Sequence, residues 1–242
     1  MPVEQRIEID GVSCFTSRRA GRAYWVVPTG IGPEAANAAA RAVLNRHRAA
    51  LAISAGFAGA LMPAAAVGDV IVATNVVSGR FDEAWSQAGA PIVCEETVLR
   101  AVQAAAIEIG MAVRNGPVVS LPTVVCRAVE KQNLSRLTGA VALDMESAAI
   151  GQVAQSQGVP FAVVRTVSDV AGEDLPLDFN VFLKPWGWMR GIGAMIMTPS
   201  SLSGLNRLRR QSRLAAARLT ALCAACAGNG FGLSPISHAG RG

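Results

Sequence analysis

The chain has 242 residues, 51% of them hydrophobic and 5% aromatic, enough for one large α/β domain or two small ones with a core filled mainly by Ala, Val and Gly. Its formal charge of +5 is concentrated toward the C-terminus, at Arg190, Arg207, Arg209, Arg210, Arg213 and Arg218, but neither zinc-finger spacing nor an RNA-binding aromatic motif accompanies it, so nucleic acid is not an expected partner. The mixed polar start does not read as a secretory leader and no run of about eighteen apolar residues occurs, so a cytoplasmic protein is expected.

Alternating apolar residues around Gly11 and Gly21 (Ile7, Ile9, Val12, Phe15, then Tyr24 to Val27) predict two or three short antiparallel strands over 5–28. Gly30-Ile31-Gly32-Pro33 is a turn whose proline suits the first turn of an Ala-rich helix over 34–47. Ala50 to Ser54 reads as a short strand that runs into a loop at Gly56-Phe57-Ala58-Gly59. Further strands are expected at 69–77, around Val118-Val119-Ser120, at 140–143 and, fully buried, at 160–167; helices are expected at 95–109, 128–137 and 146–157. This alternation predicts an α/β fold: a central mixed, mainly parallel sheet flanked by helices in a three-layer sandwich, with a C-terminal helical extension. The main domain is expected over 1–175, a helical extension over 176–227, and a disordered tail over 228–242.

Five cysteines are scattered at 14, 94, 126, 223 and 226, an odd count without a disulfide pattern. Cys223 and Cys226 form a C-x-x-C in an Ala-rich helical run, but a metal would need two more ligands and the histidines are His47 and His238 alone. Buried or half-buried thiols are the expectation, with no metal and no cofactor. The most telling residues are acids. Asp144-Met145-Glu146-Ser147 follows one apolar run and Ser168-Asp169 ends the next, so Glu146 and Asp169 fall at neighbouring strand ends, where open α/β sheets keep their ligand crevice. Taken alone, Asp144 reads as a helix N-cap and Asp169 as an ordinary turn residue.

Four runs occur in order: Ser54 to Leu61, Val67-Gly68-Asp69-Val70-Ile71-Val72, Asp144-Met145-Glu146-Ser147 and Val163 to Asp169. Over about residues 22–175 they resemble the nucleoside phosphorylase superfamily, within it the methylthioadenosine/adenosylhomocysteine nucleosidases; the section from Gly172 onward looks more like the hopanoid-associated nucleosidases, thought to remove adenine from the lipid adenosylhopane. The resemblance implies cleavage of the N-glycosidic bond of an adenine nucleoside. Asp169 would be the general acid at purine N7, a role in which its carboxyl must hold a proton, as burial in an apolar crevice favours. Glu146 would stay ionised, bind the ribose hydroxyls and stabilise the cationic sugar. Met145 would pack on the ribose, Ser168 would hold Asp169 or the base edge, and Gly32, Gly56 and Phe57 would line the crevice. Val124 and Val125 fall where the family presents base-contacting residues. Arg165 reads as a buried ion-pair partner or a structural arginine. A homodimer is expected.

Two departures from the family stand out. Its hydrolases carry a Gly-rich first strand with a glutamate that activates water; here Glu4 is the nearest early acid, in a different context. Another group then positions the water, the attacker is phosphate, or the chain is shortened. Phe57 stands where nucleosidases commonly carry a small hydroxyl residue, which reshapes the sugar end of the pocket. The tail offers two readings. Trp186, Trp188, Met189, Ile192, Met195, Ile196 and Met197, followed by Leu202, Leu205, Leu208 and Leu214 among arginines, fit an amphipathic helix packed on the domain or one lying peripherally on a membrane through 186–218. Adenosylhopane-like, soluble methylthioadenosine-type and phosphorolytic substrates, and an inactive nucleoside-binding protein, are the functional alternatives.

Overall fold

A computed structural model describes residues 3–82, 84–176, 180 and 199–233, the side chains of 199–203 and 205 excepted. The chain opens with β1 (Gln5–Ile9), β2 (Val12–Arg19) and β3 (Arg22–Val26), a three-stranded antiparallel sheet of its own. Its two hairpins turn on Asp10-Gly11 and Ala20-Gly21, all four with positive φ, the geometry that two-residue hairpin loops require.

The main sheet holds β4 (Ala52–Ala60), β5 (Val70–Phe81), β6 (Trp85–Gln87), β7 (Ile92–Val93), β8 (Val113–Ser120), β9 (Ala142–Asp144) and β10 (Phe161–Asp169), in the order β10-β4-β9-β8-β5-β6 with β7 on β5. β10 also pairs with β5 over Val164 to Thr166. The sheet is mixed as expected: the long β4–β10 and β5–β8 ladders are parallel, whereas β4–β9 and β5–β10 are short and antiparallel. β10 is buried at every residue from Phe161 to Val167, which explains why its sequence is a continuous apolar run rather than an alternating one.

Helices cover the sheet. α1 (Pro33–Leu44) starts on its proline and α4 (Ser147–Ser156) packs beside it. α2 (Glu96–Glu108) turns Val98, Val102, Ala105 and Ala106 inward, the spacing of one helical face. α3 (Ala128–Thr138) ends on left-handed Gly139. The last helix, α5 (Pro199–Gly228), lies against β10, β4 and α2 and buries Ala215, Leu222, Cys226 and Ala227.

The structure revises two expectations. The stretch Gly56 to Gly59 is not a loop but the second half of β4. Its glycines answer a packing demand: a Cβ on Gly56 would lie 2.3 Å from Arg165 Nη1, and one on Gly59 would lie 2.9 Å from Asp169 Oδ2. The expected disordered tail does not begin at 228 either. A 3₁₀ turn over Gly230–Gly232 buries Phe231 against α2, α5 and Tyr24, and Leu233 O accepts a hydrogen bond from Arg22. At Ala215 and Ala227 α5 is held to the domain, Thr166 Oγ1 donating to Ala215 O at 3.0 Å and Tyr24 OH to Ala227 O at 3.1 Å, whereas Trp186 to Met197 and residues 234–242 lie outside the described residues. No helix among the described residues is long and apolar enough to cross a membrane.

Candidate active site

Strand pairing brings the two predicted acids to either side of one strand. Gly59 of β4 pairs with Asp169 of β10 on one edge and with Leu143 of β9 on the other. Two strand spacings, about 10 Å, therefore separate Asp169 from the β9 end that leads into Met145 and Glu146. Between them runs the Gly56-Phe57-Ala58-Gly59 segment. β9 takes up β4 only at Gly59 and Ala60, so among the described residues the rest of that edge has no strand beside it, and Ala55 and Phe57 are exposed there. Among the described residues the site is an open shelf. Two cavities, about 620 Å³ beside Val67 and α5 and about 230 Å³ between β7 and α4, are lined by neither acid.

Glu146 occupies the N-cap position of α4, half-buried, and its Oε1 accepts the Gly32 N–H at 2.9 Å. The Gly30-Ile31-Gly32 turn thus meets Glu146. Gly32 is at φ 92°, a backbone geometry that favours glycine, and heads α1, whose dipole favours the carboxylate it faces. Met145 is half-buried beside it.

Beneath this shelf lies a buried charge network. Arg165, 3% exposed, donates through Nε to Asp144 Oδ2 at 2.8 Å and through Nη2 to Ser54 Oγ at 2.8 Å and Ser147 Oγ at 2.9 Å. Asp144 also accepts the Ser147 N–H at 3.2 Å and is hydrogen-bonded by the Ser147 hydroxyl. Asp144 is therefore the buried counter-ion of Arg165 as well as a helix-start acceptor. A burial of two charges is tolerated only when both are paired and hydrogen-bonded, as here. The network fixes the residues on both sides of Met145-Glu146. It also explains Gly56, whose missing side chain makes room for the guanidinium.

Asp169 is the larger surprise. Apolar surroundings were expected; instead Lys131 Nζ of α3 donates to Asp169 Oδ2 at 2.6 Å. Lys131 is fully buried, and its other N–H groups reach Val170 O at 3.1 Å and Glu173 O at 3.3 Å. Ser168 Oγ lies 2.9 Å from Asp169 Oδ1, with Ala58 O at 3.3 Å as a second acceptor. The Asp169 side chain is 15% exposed, within reach of a ligand on the shelf. Sequence reasoning missed Lys131. A signal existed: the chain has only two lysines, Lys131 and Lys184, among 22 basic residues.

Val124 is half-buried with its N–H and C=O both held by the Asn180 carboxamide, at 2.8 and 2.9 Å. The Val125 side chain is 5% exposed and packs with Leu61, Leu121 and Leu134, so what it can present to a ligand is backbone, not side chain. The thiols are quiet: burial pushes Cys94 and Cys226 up to about 12. No cluster of three or more His, Cys, Asp or Glu suited to a metal occurs among the described residues.

The family model of the Phosphorylase superfamily matches residues 3–184. The chain belongs to this superfamily. As a phosphorylase-superfamily member it is 27% identical over 199 residues to the 5'-methylthioadenosine/S-adenosylhomocysteine nucleosidase of Shewanella sp. (strain W3-18-1), covering 78% of this chain and 86% of that one. The protein of the same name from Shewanella frigidimarina (strain NCIMB 400) is 28% identical over 185 residues, 72% of this chain and 80% of the relative. Among solved structures, the 5'-methylthioadenosine/S-adenosylhomocysteine nucleosidase of Neisseria meningitidis, in complex with methylthio-immucillin-A, superposes with a TM-score of 0.73 at 22% identity, covering 94% of this chain and 91% of that chain. The S-adenosylhomocysteine nucleosidase of Streptococcus pyogenes, in complex with 5-methylthiotubericidin, gives 0.72 at 19% identity, with 93% and 87% covered. The superfamily's three-layer sandwich is thus the fold of this chain.

Proposed function

We propose that the chain is an N-glycosidase that releases adenine from an adenine nucleoside. The observation that carries this is the placement of Asp169 and Glu146 on the two sides of one glycine-rich strand, in a chain whose named relatives are nucleosidases for adenosyl compounds. Breaking the bond puts negative charge on the purine and positive charge on the sugar. In this reading Asp169, held by Ser168, serves the purine at N7, and Glu146 serves the ribose, accepting its hydroxyls and favouring the oxocarbenium-like sugar electrostatically. Met145 and Gly32 flank the ribose. Val125 offers the base a backbone edge, while the Val124 amide and carbonyl are held by Asn180.

The first-choice substrate is a lipid-linked adenosyl compound such as adenosylhopane, supported by the resemblance of the region after Gly172 to hopanoid-associated nucleosidases. Methylthioadenosine and adenosylhomocysteine are the alternative, favoured by the named relatives. A homodimer and peripheral attachment to a membrane through 186–218 belong to the same proposal.

The test is adenine release from adenosylhopane, methylthioadenosine and adenosylhomocysteine, with and without phosphate. Release that is fastest with adenosylhopane and indifferent to phosphate is the expected result. Stimulation by phosphate would make the reaction phosphorolysis. Adenine binding without release from any substrate would leave a nucleoside-binding protein and refute the enzymatic reading. Co-sedimentation with anionic vesicles that persists after deletion of 186–218 would refute the membrane contact assigned to that segment.

A further inference from the structure

We propose that Lys131 is a positioning residue that holds the proton Asp169 passes to the leaving base, so that the buried Lys131–Asp169 pair, rather than a lone carboxylic acid, is the proton source of the site. The inference rests on the adenine-release reading above.

The geometry supports it from three directions. Asp169 Oδ2 accepts from the Lys131 ammonium at 2.6 Å, and the Ser168 hydroxyl stands at Oδ1, so both carboxyl oxygens face donors. A carboxyl in that setting accepts at both oxygens, and the N–H proton nearest to it is the lysine's. The lysine, in contrast, has the mobile proton. It is fully buried and ends in a fixed frame made by the Val170 and Glu173 carbonyls. A side chain that could lie in water has instead been placed wholly inside, with its charge at the one exposed-side carboxylate of β10; burying an ammonium is expensive unless it is paired in this way.

Charged groups from the neighbouring elements are turned to other partners. Asp174 accepts the Ala128 N–H at 2.6 Å, Glu130 accepts the Arg127 N–H at 3.3 Å, and Glu173 Oε2 lies 3.6 Å from Arg207 Nη1 of α5. Arg165 on β10 is committed to Asp144, and Glu146 faces Gly32. β4, across from Asp169, contributes no titratable side chain between Ala52 and Ala60.

The step balances. As the C–N glycosidic bond breaks, its electron pair goes to the purine; the Lys131 N–H proton moves to Asp169, and the Asp169 carboxyl gives its proton to N7. The pair is then an amine beside a carboxylate. Water adds through oxygen to the sugar carbon, and the proton it sheds restores the ammonium. No oxidant, reductant or metal enters.

The test compares pH profiles of adenine release. In Lys131→Met the site holds a proton only while Asp169 itself is protonated, so the alkaline limb of kcat/KM moves to lower pH. Lys131→Arg keeps the charge but does not release a proton, so kcat drops about 100-fold or more with KM little changed. If both variants misfold, the wild-type protein decides: with ¹⁵N-labelled lysine, the Lys131 Nζ signal must lose its proton over the pH range in which activity falls. An alkaline limb unmoved or shifted upward in Lys131→Met, a wild-type kcat in Lys131→Arg, or an Nζ signal that stays protonated while activity falls would overturn the proposal and leave adenine release standing. Absence of release by the wild type would overturn both.

Discussion

Gly56→Ala tests whether the buried arginine network is what shapes the site. The added methyl would stand 2.3 Å from Arg165 Nη1 and 3.4 Å from its Cζ. Ordinary contact needs about 3.5 Å, so the guanidinium must move by about 1 Å. It has nowhere to go, because Arg165 is 3% exposed and its Nε and Nη2 are held by Asp144, Ser54 and Ser147. Overpacking alone costs about 1–3 kcal/mol, and tearing a buried ion pair about 3–5 kcal/mol. A value of about 3 kcal/mol follows for Gly56→Ala, which for a domain of this size lowers Tm by roughly 6–12 °C. Urea denaturation followed by far-UV circular dichroism measures it. The decisive arm is the double variant with Arg165→Met. Removing the guanidinium makes room for the methyl, so Gly56→Ala should add less than about 1 kcal/mol in that background. A stability loss of the same size in both backgrounds, or none in either, would refute the account.

Other outcomes follow from the same geometry. Gly59→Ala places its methyl 2.9 Å from Asp169 Oδ2, on a side chain 15% exposed and able to shift, so turnover should fall at least tenfold in an adenine-release assay while stability drops by less than in Gly56→Ala. Asp169→Asn should lose roughly 10²–10⁴-fold in kcat; near-normal turnover removes Asp169 from its role. Glu146→Gln keeps an acceptor for the Gly32 N–H but lacks charge, so KM should rise and kcat fall together; a change in neither sinks the ribose assignment. Cys94 and Cys226, pushed up to about 12 by burial, should resist iodoacetamide at pH 8 in the folded protein and react in urea, as mass spectrometry would show. Their sign also fixes a stability trend: the folded state keeps these thiols protonated when the unfolded chain, near its ordinary value of 9, has begun to lose them, so this contribution is full below pH 9 and declines as pH rises toward 12.

The order of elements, the mixed sheet and the positions of Glu146 and Asp169 just after two apolar runs were legible in the sequence because they rest on local signals. Continuous apolar runs mark buried strands, an Asp-Gly or Ala-Gly pair marks a hairpin, and an acid after such a run marks a strand end. The same local logic misread Gly56 to Gly59 as a loop, since glycine clustering looks the same whether a backbone must turn or a neighbour must come close. What decided that case was the Arg165 guanidinium, more than 100 residues further along the chain. Lys131 escaped for a related reason. Within α3 it is one polar residue among many, and only the packing of that helix under the end of β10 brings its ammonium to Asp169. Composition and periodicity can say which residue types are present and which face they take, because those depend on neighbours a few positions away. The electrostatic surroundings of a carboxyl depend on charges within about 4 Å in space, and it was chain folding alone that set a buried cation beside the acid expected to stand in an apolar crevice.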